Sequence, residues 1–417
     1  MRKRRAYILT VSFPLFIILI FSFVLIFFTP EKNTLKNNNF AYAQNKTLPI
    51  TNNWGQVALQ RSIAPILGLP PVLHPKDNLP TTDKIKLGRK LFFDRRLSIN
   101  GTMSCAMCHV PEQGFTSHEV ETAVGVEGRT GRRNSPTILN TYLYKHLFVD
   151  GRDHSLETQY INPLTARNEM ANPSAGHVIH LLKTFPDYKG LFENAFGAPP
   201  SLDTVGKAFA AYQRTLIAGN SRFDRWHYGK DQQALSPSEQ RGFQIFIGKG
   251  NCVSCHLIEE THAKFTDNQF HDIGYGWWRE QQRQNPLPTT RVELAPGVFV
   301  DVAEEIIAAV GTKIEADLGR YEVTEKPNDR WKFRTPSLRN LSLTPPYMHD
   351  GKFATIRDVL KFYNRGGQPH KAMDPRIKPL NLTSVELDDL ENFLKTLNSQ
   401  VIEQLIKEAR SSPPDNF

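Results

Sequence analysis

Cysteine is scarce in this chain, with four in 417 residues. That excludes a disulfide-stapled scaffold, in which cysteines are dense. Strand signals are also few, and 28 prolines and 26 glycines punctuate the stretches between helices, which argues against a sandwich or barrel of evenly spaced strands. No basic run interleaved with aromatics appears beyond residue 43. The formal net charge is +9, but residues 1–43 hold six Lys/Arg against one Glu, so the remainder carries only a mildly basic, solvated surface. Nucleic acid is excluded as a partner on that ground. One long apolar run is present, Ala6–Phe28, directly after the basic residues Arg2–Arg5. A basic flank stays on the cytoplasmic side, so the chain beyond it is exported. The run reaches the ~20 residues that span a bilayer as a helix, and Ala41-Tyr42-Ala43 gives a cleavage site. A signal anchor and a cleaved signal peptide both fit residues 1–43. Either one places the protein in the periplasm or on the outer face of the cytoplasmic membrane.

The four cysteines that are present come as two close pairs, Cys105/Cys108 and Cys252/Cys255. Each pair runs straight into a histidine, in "SCAMCHV" at His109 and "NCVSCHL" at His256. Two thiols three residues apart can add to the two vinyl groups of one haem, and the adjacent imidazole then falls beneath the iron. Two disulfides would be the default for four cysteines in an exported chain, but they leave both histidines without a task. One zinc site shared by both pairs leaves them equally idle. Two covalently bound c-type haems account for all six residues.

The surroundings of the two motifs repeat as well. "KIKLGRKLFFD" precedes the first and "EQRGFQIFIG" the second, with Leu87, Leu91 and Phe92 matching Phe243, Ile245 and Phe246 in character at helical spacing. Each motif is followed by a Phe-Thr pair, Phe115-Thr116 and Phe265-Thr266. Ser384–Leu397 reads as an amphipathic helix with acidic residues early and Lys395 late, and Leu202–Ile217 plays the same part for the first half. The expected fold is all-α: two tandem cytochrome c-like haem domains with long irregular loops. The expected divisions are 1–43 (export segment), 44–80 (linker and N-terminal arm, with an Asn-rich linker over 29–50), 81–235 (first haem domain), 236–400 (second haem domain) and 401–417 (C-terminal tail). Residues 276–300 read as an irregular insertion with a short hairpin at "RVELAPGVFV".

Over roughly residues 80–400 the sequence resembles the bacterial dihaem cytochrome c peroxidases and their MauG-like relatives. The resemblance rests on an ordered series: the first C-x-x-C-H, "RRNSPTILN", "FVDGR", "LETQ", "RNEM", the second C-x-x-C-H, and "FRTPSLRNLSLTPPYMHDG". It implies that the first haem meets peroxide and the second relays electrons. The family carries a Gln and, ten residues later, a Glu before Met; here these are Gln159 and Glu169, with Met170 following. Splitting an O–O bond unevenly needs a base for one oxygen's proton and an acid for the other oxygen, and one carboxylate can be both.

Two departures and two further expectations follow from that pattern. The distal histidine that closes the first haem in many of the peroxidases falls at Val126 here, and no histidine lies between His118 and His146. The first haem is therefore expected to be open to peroxide, with His118 as the rival ligand. The distal ligand of the second haem falls at Tyr363, as in the MauG-like branch, with Met348 and Met373 as alternatives. The family's Trp before "DGR" is Val149 here, which leaves Phe148, Tyr144 and Trp331 as candidates for coupling the haems. The resemblance also implies a calcium ion held by Asn134, Thr344 and Pro346.

These features imply an exported haem-dependent oxidoreductase that consumes hydrogen peroxide. Its electrons would come from a small redox protein, a cytochrome c or cupredoxin. A MauG-like enzyme that oxidises residues such as Trp of a partner protein is the second reading, and a non-catalytic dihaem electron carrier the third. A membrane anchor and a homodimer are both compatible with the pattern.

Overall fold

The computed structural model describes residues 53–284, 289–303 and 316–411. The expected export segment, with Ala6–Phe28 and Ala41-Tyr42-Ala43, and the 29–50 linker lie outside the described residues. Among those described, no helix is long and apolar enough to cross a membrane.

The fold is mostly helical. Among the described residues, strands are confined to two two-stranded ribbons, Phe270–His271 with Phe333–Arg334 and Thr289–Ala295 with Val298–Ala303. The second ribbon is the hairpin expected at "RVELAPGVFV". The residues before it are less irregular than expected, because Tyr275–Gln284 form a helix.

Two hydrophobic cores organise the chain, each built on a crossed pair of helices. In the first, helix Thr82–Phe93 packs on helix Leu202–Gln213; in the second, Pro237–Ile247 packs on Ser384–Lys395. Three of the four helices begin with a reciprocal cap, at Ser201/Thr204, Ser236/Glu239 and Thr383/Glu386. Thr81 caps the fourth by accepting the Lys84 amide. Each cap satisfies backbone donors that a helix start leaves bare and contributes ~1 kcal/mol. Leu87, Leu91 and Phe92 are buried, as are Phe243 and Phe246. Both crossings depend on a glycine: a Cβ on Gly88 would stand 1.9 Å from the Ala208 carbonyl oxygen, and one on Gly242 would stand 2.0 Å from that of Asp389. No side chain fits at either point.

The two cores belong to one compact unit. The N-terminal arm contributes helix Trp54–Ile63, whose Ala58 packs with Ile85 and Ala211. The segment expected as a C-terminal tail from 401 instead begins with helix Ile402–Arg410, and its Ile402, Leu405 and Ala409 complete the first core, not the second. Its C-terminal turn is pinned there by Arg61 with Glu408 and by Arg410 with Glu112.

Candidate active site

Cys105–Cys108 form one helical turn capped by His109, and Cys252–Ser254 a tighter turn leading to Cys255 and His256. All four thiols are free. In both sites the histidine Nδ1 bonds a carbonyl of the Phe-Thr pair downstream: His109 to Phe115 at 3.2 Å and His256 to Phe265 at 2.8 Å. Both phenylalanines take a left-handed backbone, φ 56° and 52°, which turns that carbonyl towards the ring. The adjacent threonines anchor each turn, Thr116 to the Ser135 carbonyl and Thr266 to the Thr335 carbonyl. A ring nitrogen fixed in this way orients the imidazole and leaves Nε2 for a metal. Burial pushes His109 down to about 4 and lowers His256 too, so both rings stay neutral and able to ligate.

A cavity of about 500 Å³ reaches both motifs, lined by Cys108, His109, Cys252, Cys255 and His256 among largely apolar side chains. Burial pushes the thiols up, Cys105 to about 12 and Cys108 to about 11, so the sulfurs are neutral. Neutral buried sulfur beside an oriented imidazole and an apolar cavity fits a thioether-linked haem at each motif. A cluster of Cys255, Asp267 and His271 lies beside the second motif. Both ring nitrogens of His271 are already engaged, by Asp267 at 2.7 Å and Asp374 at 2.9 Å, so this group supports the rim of the site.

Gln159 and Glu169 line the same cavity as His109. Gln159 ends the short helix Leu156–Gln159, and Glu169 sits on a turn held by backbone bonds. Its amide donates to Ala166, its carbonyl accepts from Val126 at 2.9 Å, and the next residue, Met170, is buried in the first core. Burial raises the Glu169 pKa, opposed by the Arg152 cation. Val126 is thus a buried residue whose backbone supports Glu169. His118 is committed elsewhere, with Nε2 2.6 Å from the Leu343 carbonyl, and it does not line the cavity.

In the second site, helix Ile356–Asn364 brings Tyr363 into the cavity wall. Burial and the nearby Cys255 and Cys252 sulfurs raise the Tyr363 pKa, and its hydroxyl has no hydrogen-bond partner among the described residues. Of the rival ligands, Met348 lines the cavity and Met373 does not. Asn134, Thr344 and Pro346 also meet there. The Asn134 side-chain amide donates to the Pro346 carbonyl at 2.8 Å, so binding calcium would require that amide reversed, with its oxygen inward.

Of the aromatics considered for coupling, Phe148 and Tyr144 line the cavity and Trp331 does not. Sequence reasoning missed Tyr275, Phe333 and His349, which line it too. His349 stacks on Phe333 with centroids 3.9 Å apart. A signal for it existed: His349 stands 200 residues after Val149, as Pro336 does after Pro136. The same offset governs the backbone. The Asn134 amide donates to the His349 carbonyl and the Arg334 amide to the Val149 carbonyl, each at 2.8 Å. The halves therefore clasp each other through equivalent segments.

Two tethering motifs around one cavity, with a carboxylate beside the first and a tyrosine in the wall near the second, define a dihaem c-type oxidoreductase. The sequence profile of the di-haem cytochrome c peroxidases matches residues 82–232. The chain is 36% identical over 350 residues to cytochrome-c peroxidase IdrP1 of a Pseudomonas species, covering 80% of this chain and 86% of that one. It is 37% identical over 333 residues to the methylamine utilization protein MauG of Methylorubrum extorquens, covering 79% and 82%. A crystal structure of a MauG-like protein associated with microbial copper homeostasis superposes with a TM-score of 0.67 at 30% identity, covering 84% of this chain and 98% of that one. The chain belongs to the dihaem cytochrome c peroxidase/MauG-like family.

Proposed function

We propose that this protein is an exported peroxidase that reduces hydrogen peroxide at an open first site, drawing electrons through the second from a small redox protein. The observation that carries the reading is that Glu169 lines the same cavity as His109, with Val126, whose amide bonds the Glu169 carbonyl, at the position of the family's distal histidine. When bound, haem supplies the iron at which peroxide is reduced. The chain supplies the proton chemistry. Ionised Glu169 takes the proton from one peroxide oxygen and returns it to the departing one, which leaves as water. Gln159 orients peroxide against that carboxylate. Burial raises the Glu169 pKa, and the Arg152 charge opposes that rise and favours the carboxylate.

In this reading Tyr363 is the distal ligand of the second haem. Burial and the sulfurs hold its proton on, and a cation beside the oxygen would draw it off. Tyr363 also favours the second reading, a MauG-like oxidation of residues in a partner protein. Calcium at Asn134, Thr344 and Pro346 belongs to the same proposal and would brace the clasp between the halves. Adding peroxide to the ferric holoprotein tests the open site. A prompt spectral change without prior reduction supports it, and a bis-histidine first haem by EPR would refute it.

A further inference from the structure

An oxidising equivalent made inside a protein has to reach an electron donor, and a protein donor cannot enter a cavity of this size. Besides the second site, side chains that can be oxidised offer a route, and Val149 is not one of them. Among the tyrosines of the cavity wall, hydrogen bonding separates the candidates. Losing an electron makes a phenol strongly acidic, so it is oxidised readily only where a base can take its proton. Tyr144 accepts a hydrogen bond from the Ser337 amide at 2.9 Å and has the Arg334 guanidinium 3.5 Å from its ring centroid. That cation opposes a positive charge on the ring. Tyr347 donates to the Leu341 carbonyl at 3.1 Å, which is no base. Tyr275 alone among them donates to a carboxylate, Asp350 Oδ1, at 2.8 Å. Tyr275 is buried at 1% exposure, and Arg279 holds the other Asp350 oxygen at 2.8 Å.

One turn along helix Tyr275–Gln284 lies Trp278, with ring centroids 5.7 Å from Tyr275. The other rings against Tyr275 are His349, Phe353 and Phe362, none as easily oxidised as an indole. Trp278 is only partly buried.

We infer that Tyr275, Asp350 and Trp278 form a relay that carries an oxidising equivalent from the cavity to the surface, where a protein donor refills it. The inference rests on the peroxidase reading, since hydrogen peroxide is the oxidant. One electron leaves Tyr275 for the peroxide-derived oxidising equivalent as its phenolic proton passes to Asp350. One electron then passes from Trp278 to the tyrosyl radical, and the proton returns from Asp350. The electron deficit now sits on Trp278, and one electron from the donor closes the cycle. Burial raises the Tyr275 pKa, with Asp350 adding to the effect, so the phenol keeps its proton until the electron goes.

The test adds hydrogen peroxide to the ferric holoprotein without reductant and maps oxygen incorporation by peptide mass spectrometry. Wild type is expected to carry the modification at Trp278, with loss of the mark in Tyr275→Phe and in Asp350→Asn. Trp278→Phe should trap the radical one step earlier, as a tyrosyl EPR signal. A Trp278 mark as strong in Tyr275→Phe as in wild type would overturn the relay. Wild type that consumes peroxide but marks other residues overturns the relay and spares the peroxidase reading. Wild type that consumes no peroxide overturns both.

Discussion

From Asn134 and Arg334 onward the two halves run in step, 200 residues apart, until they diverge after Leu156 and Ile356. Asn140 and Asn340 both take left-handed turns before a short 3-10 helix, and Phe148 and Met348 both have positive φ. Leu147 pairs with Asp153 as Tyr347 pairs with Phe353. Helices then start in register at Leu156 and Ile356. The second continues unbroken for nine residues through Tyr363. The first stops at Gln159, and by the same count Pro163 stands where Tyr363 does. Proline has no N–H for the Gln159 carbonyl, and its ring would collide with that carbonyl in a continuing helix. The chain restarts as Ile161–Thr165 and turns to present Glu169. One scaffold thus carries Tyr363 on an unbroken helix in one half and Glu169 beyond a broken one in the other; in the proposed function the first is a ligand and the second a proton carrier.

The strongest way to break that contrast is to exchange its two key groups. Glu169→Gln should lower peroxide turnover by ~10²–10⁴-fold, with both haem spectra intact. Tyr363→Phe should alter the ferric spectrum of the second haem only. Equal losses in turnover from both variants would mean that the halves do not divide the work. A second contrast lies at positions 139 and 339, where buried Leu139 answers to Arg339. Arg339 pairs with both Asp224 oxygens at 2.9 Å, and the two side chains are 1% and 0% exposed. Arg339→Ala strands a buried carboxylate and should cost ~3–5 kcal/mol, read as a fall in thermal stability.

A smaller effect probes what the halves share. Gly88→Ala and Gly242→Ala each force a methyl group into a facing backbone and should cost ~1–3 kcal/mol apiece. Clearly unequal melting losses would show that the two crossings are not equivalent. The smallest effect concerns pH. Glu169 works as a base when ionised, and burial raises its pKa, so activity should rise with pH through a limb above the ordinary 4.5. Arg152→Gln removes the charge that favours the carboxylate and should move that limb to higher pH.

The tethering motifs and the four crossed helices could be read from the sequence because each is local: a spacing, a cap, a 3.6-residue period. Helix Ile402–Arg410 carried the same kind of signal in Ile402, Leu405, Ile406 and Ala409, although it was expected as tail. Which core it would cover was not local information, since its partners lie some 300 residues earlier. Tyr275 was hidden for a different reason. "GYGWWREQQRQ" has its aromatics at one end and no apolar stripe, so neither its helix nor the reach of Tyr275 to Asp350 follows from periodicity. Glu169 and Gln159 were found through the family pattern; residue type alone would have left them on the surface.

The return of Ile402–Arg410 to the first core has a consequence for how the molecule is made. The half that emerges first during synthesis lacks Leu405 and Ala409 until the final residues have appeared. It must wait, with apolar surface uncovered, while the other half is built. Maturation therefore cannot proceed as two independent steps in chain order, and loss of only the last residues would injure the earliest part of the protein.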